Sequence, residues 1–177
     1  MRGVDEQMLP LPIYAGLMNH RLVDRYTDSH PVVKQSKSLF TAKRRRFAGI
    51  ALDIVFDHFL IKHFPAYASQ SLEDFLNDTY RGLATNLHCM PTGMQRDVTK
   101  MIEGGWLESY DNLESVGRAL DNTASRIRFD HQFYGAVEDI RSHYSEIEDN
   151  FIQFMPQLIS HVYRHTPEAW QATHISV

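Results

Sequence analysis

The 177-residue chain carries 18 Lys+Arg against 22 Asp+Glu, a formal net charge of −4, with 43% hydrophobic and 23% charged residues. These are globular proportions, sufficient for a core and too acidic for a general nucleic-acid binder, which needs a broad basic surface. A single cysteine, Cys89, excludes an internal disulfide and any multi-cysteine metal centre. No apolar run approaches the ~20 residues that span a bilayer, and the opening MRGVDEQMLP has no apolar signal core. The expectation is one cytoplasmic domain over 1–177 in a reducing compartment, with neither membrane nor nucleic-acid partner. Its tail, 165–177, is a candidate for disorder.

Helical periodicity runs through the chain and strand-type alternation is sustained nowhere, so the fold class is an all-α, single-domain helical bundle. A first helix is predicted from about Leu11 to Tyr26, followed by a break at Thr27-Asp28-Ser29-His30-Pro31 in which Pro31 suits a first helical turn. Helical stretches follow from Val32 to about Arg45 and from Arg46 to Phe64, either as two helices or as one. Ser71 is placed to cap a fourth helix reaching about His88, with Asp74 in the reciprocal capping position. Pro91 opens a segment that ends at Gly104-Gly105, and a sixth helix is predicted from about Asn112 to Arg128. Phe133, Val137, Ile140, Tyr144, Ile147, Phe151, Phe154 and Leu158 recur at spacings of four and three, which predicts one long helix with an apolar stripe that packs in the core.

Chemistry in a helical bundle shows as polar groups interrupting an apolar face. At 100° per residue, Ile50, Asp53, Asp57, Leu60, Ile61 and Phe64 fall on one side of the third helix. Two carboxylates one turn apart within an apolar stripe repel each other and lose hydration unless a cation, an arginine or a shared proton relieves them. His58 adds a nitrogen next to Asp57. On the first helix His20 and Asp24 stand at i, i+4, with Arg21 at the edge of the same face. His20, Asp24, Asp53, Asp57 and His58 thus form a candidate metal-ligand set, and the mixture of imidazole and carboxylate suits manganese, iron or zinc better than calcium. The structural alternative is a hydrogen-bonded His–Asp pair and carboxylates paired to arginine. Lys43, Arg44, Arg45 and Arg46, with Lys34 and Lys37 nearby, form the one basic cluster of an acidic chain, either a solvated face or a docking patch for an acidic partner or a phosphate. Motifs of serine hydrolases, P-loop NTPases and dinucleotide-binding folds are absent.

The segments that carry these residues resemble the acyl carrier protein phosphodiesterase family. The resemblance lies in HRLVDRYTDSHPVV (His20 to Val33), RRRFAGIALDIVFDHFLIKHF (Arg44 to Phe64), WLESY (Trp106 to Tyr110) and Ala124-Ser125-Arg126, and covers the chain to about Pro156. It implies a divergent HD-like, all-helical phosphohydrolase that uses a divalent metal, manganese above all. Its activity is hydrolysis of the phosphodiester joining 4′-phosphopantetheine to a serine of holo-acyl carrier protein, in the setting of fatty-acid biosynthesis. Asp57-His58 stands in the place of the family's metal-type pair, in reversed order. Family members usually begin with a segment of the type N-F/Y-L-A-H, then G-N-hydrophobic-x-x-D-F, before the R-G met here as Arg2-Gly3. The resemblance therefore implies a chain short of one helix, a histidine and an aspartate, and of lower activity for that reason.

The expected function is a metal-dependent phosphodiesterase acting on acyl carrier protein. Asp57 and His58 would sit at the reaction centre, Arg21 and Arg126 would neutralise charge on phosphate, and Lys43 to Arg46 would dock the partner. The alternatives are an HD-like phosphohydrolase for nucleotides or small phosphoesters, and a non-catalytic helical interaction module.

Overall fold

Two side-chain caps set the starts of their helices, one of them, Ser71, expected from the sequence. Asn112 accepts from the amide of Ser115 at 3.0 Å, and Ser71 accepts from the amide of Asp74 at 3.0 Å while donating to the Asp74 carboxylate at 2.7 Å. The structure is a computed structural model and describes residues 11–166. Among the described residues it has eight α-helices and four 3-10 turns, and no strand. The helices are α1 (Leu11–Ser29), α2 (Pro31–Ser38), α3 (Ala48–Lys62), α4 (Leu72–Thr85), α5 (Thr92–Glu103), α6 (Leu113–Ala124), α7 (Val137–Ser142) and α8 (Tyr144–His165). The all-α expectation holds. No helix among the described residues is long and apolar enough to cross a membrane. Most of the expected tail, 167–177, lies outside the described residues.

The chain packs as two compact units. One comprises residues up to Ser36 and from Asp149 onward, and the other Lys37–Glu148. In the first unit, Tyr26 of α1 stacks on His161 of α8 with ring centroids 4.1 Å apart, and His30 meets Phe154 edge-on at 5.0 Å. Asn150 donates to the buried Ser36 hydroxyl at 3.0 Å, tying α8 to α2. Pro156 sits inside α8, where it removes one helical bond. The carbonyl it frees belongs to Ile152, which is on the solvent side with Pro156 itself.

In the second unit α3 supplies the centre. Ala48, Ala51, Leu52, Val55 and Phe59 are each no more than 1% exposed and lie on one face. Val116, Leu120 and Ala124 of α6, spaced four apart, are fully buried, as are Phe133, Ala136, Ile140 and Ile147. Full burial of one such Leu or Phe contributes roughly 2 kcal/mol.

The structure decides one joint that the sequence left open, with the break earlier than Arg45, and departs from expectation at another. The stretch from Val32 to Phe64 is two helices, separated by a turn at 39–44 and a 3-10 turn at Arg45–Phe47. The Thr41 amide donates to the Asp139 carboxylate at 2.9 Å, its hydroxyl does so at 2.8 Å, and the backbone is drawn out of the helical path. The stripe from Phe133 to Leu158 likewise does not occupy one helix. Phe133 precedes α7, and α7 and α8 are separated at His143, whose φ of −123° and ψ of 22° leave the helical region. Core packing of the stripe still holds for Phe133, Ile140, Ile147, Phe151 and Phe154, all buried.

Candidate functional site

α3 is apolar almost all the way round, and its core face is the one opposite to the face expected from the sequence. Ala51, Leu52, Val55 and Phe59 point inward, so Asp53 and Asp57 lie with the partly exposed Ile50 on the outer face, one helical turn apart. The carboxylates therefore do not interrupt a buried stripe. Asp57 is nonetheless strongly perturbed. Loss of hydration to the surrounding protein, and then the neighbouring charge of Asp53, push its pKa from the ordinary 3.8 up to about 6. Water reaches the side chain, yet much of its surroundings is protein, as for a group in a recess. Tyr110, in the 3-10 turn Glu108–Asp111, is the neighbour of this pair. Its hydroxyl pKa is raised by burial and then by the charge of Asp57.

His58 takes the other direction and is 4% exposed. Its Nδ1 lies 2.7 Å from the Tyr110 carbonyl and its Nε2 lies 2.8 Å from the Tyr144 hydroxyl. A carbonyl only accepts, so Nδ1 carries the proton and Nε2 accepts from Tyr144. Both nitrogens are thus used in fixing α3 to the Tyr110 turn and to the start of α8. His58 is corrected from a candidate ligand and reaction-centre group to a positioning residue, because neither ring nitrogen is open to a metal.

The Tyr110 turn also forms one wall of a pocket of ≈ 290 Å³. Trp106, Ser109 and Tyr110 line it on one side, and Arg118, Asn122 and Arg126 on another. Arg118 and Asn122 are successive turns of α6, and Arg126 follows in the turn after Ala124, so the spacing of four brings all three to the same side. Arg118 donates to the Ser115 hydroxyl at 2.7 Å. The lining contains no acidic side chain. Trp106, Ser109 and Tyr110 of WLESY and Arg126 of Ala124-Ser125-Arg126, far apart in sequence, line this one cavity. Of its residues only Arg126 was given a role from the sequence. Ser109 and Tyr110 were noted only within WLESY and Arg118 not at all, although the spacing Arg118, Asn122, Arg126 is visible there.

His20 and Asp24 of α1 do pair, with Nε2 to Oδ2 3.5 Å, but at 72% and 57% side-chain exposure they form a surface pair. Arg21 lies in a shallow depression with Met18, Asp24 and Arg25. These residues belong to one unit, and Asp53, Asp57 and His58 to the other. Among the described residues no group of three or more His, Cys, Asp or Glu side chains converges as a metal cage. The donor set that could hold a cation is the Asp53–Asp57 pair, two oxygen ligands whose mutual repulsion, with the lost hydration of Asp57, a hard divalent ion would relieve.

The basic cluster divides. Arg44 turns inward and donates to Asp139 at 2.9 Å and to the Tyr134 carbonyl at 2.8 Å. It is structural and is corrected from the docking set; its partner is Asp139, neither of the carboxylates on α1 and α3. Gly135 has φ +67°, and a Cβ there would come within 3.2 Å of the Arg44 guanidinium, so both backbone and space require glycine. Lys43 and Arg45 remain exposed. Arg45 donates to the carbonyls of Ser38 and Phe40, both at 3.3 Å. The Arg46 guanidinium lies 4.9 Å from the ring centroids of Phe47 and Phe129.

The family model for acyl carrier protein phosphodiesterase matches residues 1–158. The acyl carrier protein phosphodiesterase of Yersinia pestis is 32% identical over 160 residues, 90% of this chain and 83% of that protein. The protein of the same name from Serratia proteamaculans (strain 568) is 34% identical over 148 residues, covering 83% of this chain and 77% of the relative. That of Yersinia enterocolitica is 34% identical over 161 residues, covering 90% and 83%. No solved structure matches the chain.

Proposed function

The chain belongs to the acyl carrier protein phosphodiesterase family, and from that premise we propose that it hydrolyses the phosphodiester joining 4′-phosphopantetheine to a serine of holo-acyl carrier protein. The products are the apo-carrier protein and the free phosphorylated arm. The observation that carries the reading to particular residues is Asp57. It titrates at about 6 beside Asp53 and stands next to Tyr110, a wall residue of the two-arginine pocket. A carboxylate destabilised in its charged form in this way, with a second carboxylate beside it, favours a neighbouring positive charge. The same pair would hold a divalent cation, with Mn²⁺ the proposed one. When bound, such a cation supplies positive charge at the phosphate and acidifies water. Arg126 would offset the charge that develops on the phosphate oxygens. His58 holds Tyr110 and Tyr144 in place and takes no part in proton transfer.

The test is release of the phosphorylated arm from holo-acyl carrier protein in the presence of Mn²⁺, followed by mass spectrometry of the carrier. Loss of the arm's mass with addition of one water across the phosphodiester is the expected result. Hydrolysis of nucleotides or small phosphodiesters with an intact holo-carrier would sink the reading in favour of a small-molecule phosphohydrolase.

A further inference from the structure

The pocket beside Tyr110 has a composition that selects one ligand chemistry. Two arginines face it from α6 and the turn that follows, no carboxylate lines it, and neither arginine has an ion-pair partner among the described residues. In a chain of net charge −4 an uncompensated pair of guanidiniums in a concavity is an anion trap. The guanidinium has five N–H donors in a planar fork. Arg118 commits one terminal nitrogen to Ser115, which fixes the fork and leaves the other donors open. Around the arginines stand neutral hydrogen-bonding residues, Ser109, Thr123 and Asn122, with Trp106 also in the lining. Such groups suit amides and hydroxyls rather than a second charge. At ≈ 290 Å³ the cavity lies at the small end of small-ligand pockets, which run from about 300 to 1,000 Å³. That is room for a phosphate and the start of a flexible chain, and none for a folded element of a protein.

We propose that this pocket binds a phosphate ester through Arg118 and Arg126, with the amide-bearing arm attached to that phosphate lying along Asn122, Ser109 and Trp106. Arg118 is a specificity residue for the phosphorylated arm and holds it against Tyr110, whose other neighbour is Asp57. The assignment rests on the phosphodiesterase reading for the identity of the arm, and on the pocket alone for its phosphate.

The experiment uses the full chain, labelled with ¹⁵N, and three probes: inorganic phosphate, 4′-phosphopantetheine, and pantetheine without its phosphate. Saturable shifts of the Arg118 and Arg126 side-chain N–H signals and of the Ser109 and Tyr110 amides are expected with the first two. The phosphorylated arm should bind at least tenfold more tightly than pantetheine. Arg118→Gln and Arg126→Gln should each reduce that preference below threefold, with helical content unchanged by circular dichroism. In steady-state turnover of holo-carrier protein, Arg118→Gln should raise KM about tenfold with a smaller fall in kcat. Equal binding of the two arms, shifts confined to residues outside the pocket, or a preference that survives both substitutions would overturn the site. These measurements separate the two proposals. A protein that prefers the phosphorylated arm yet releases nothing from the carrier retains the site and loses the phosphodiesterase reading. A protein that turns over the carrier with a preference indifferent to both arginines does the reverse.

Discussion

Asp57 concentrates the chemistry at the residue scale. Its folded pKa of about 6 stands above the ordinary 3.8, so between those values the native state holds more protons than the unfolded chain. Stability therefore falls as pH rises from about 4 to 6 and is flat above that window, with the full penalty present at neutral pH. Asp57→Asn removes both the penalty and the repulsion of Asp53. The variant should melt a few degrees higher than the parent at pH 7.5 and at nearly the same temperature at pH 4. Turnover should drop by about 10²-fold or more, because the cation's charge at the phosphate is lost with its ligand. Calorimetry should also show weakened Mn²⁺ binding, and unchanged affinity would remove Asp57 from the cation site. The Asp53–Asp57 pair was legible because i, i+4 spacing on a helix leaves no freedom. The face it occupies was not, because LDIVFDHFL is apolar on nearly every side and periodicity cannot then choose which side is buried. His58 looked like a ligand for the same reason: sequence shows a nitrogen beside a carboxylate and hides that its partners, Tyr110 and Tyr144, lie 52 and 86 residues away.

At the scale of elements, Asp139 does what no local signal announces. Its side chain, 6% exposed, joins α7 to the turn before α3 by accepting from the Thr41 amide, the Thr41 hydroxyl and Arg44. Burial alone would raise its pKa; the two Thr41 hydrogen bonds and the Arg44 charge outweigh burial, and the net shift is downward. A carboxyl held below its unfolded pKa adds stability that is complete above about pH 4 and is lost as pH falls through the lower, folded value. Asp139→Asn should destabilise the protein by about 3 kcal/mol near neutral pH, because it leaves Arg44 part-buried without its counter-charge. Urea denaturation at pH 7 measures this. Combining Asp139→Asn with Arg44→Met should cost less than the sum of the two. Additive losses would mean that the pair contributes no coupling. Ser71 was readable as a cap since its bond spans three residues, whereas the break at Thr41 depends on a partner 98 positions away. The separation of α7 from α8 was hidden differently. Ile140, Tyr144 and Ile147 keep helical spacing straight across His143, so a single non-helical residue leaves no trace in the pattern.

At the scale of the whole molecule the question is how a chain of net charge −4 would meet an acidic carrier protein, the kind of partner the family resemblance implies. The net fields repel, so approach depends on a local region of opposite sign, felt over ~8 Å at physiological ionic strength. Lys43, Arg45 and Arg46 supply such a region once Arg44 is discounted as the partner of Asp139. Arg46 is the best anchored of them. Its guanidinium lies over Phe47 and Phe129, which fixes its position and leaves less side-chain entropy to lose on docking. Reversing charge at Lys43 and Arg46 together (Lys43→Glu, Arg46→Glu) should raise KM for holo-carrier protein about tenfold, flatten its dependence on salt, and change kcat little. Hydrolysis of a small soluble phosphodiester by the same variant should match the parent, because a small substrate needs no docking surface. A Lys43→Glu single variant leaves the aromatic stack around Arg46 intact and should show the same direction at smaller amplitude. A fall in kcat for both substrates would instead place the cluster at the reaction centre, and an unchanged KM at low salt would leave it a solvated face.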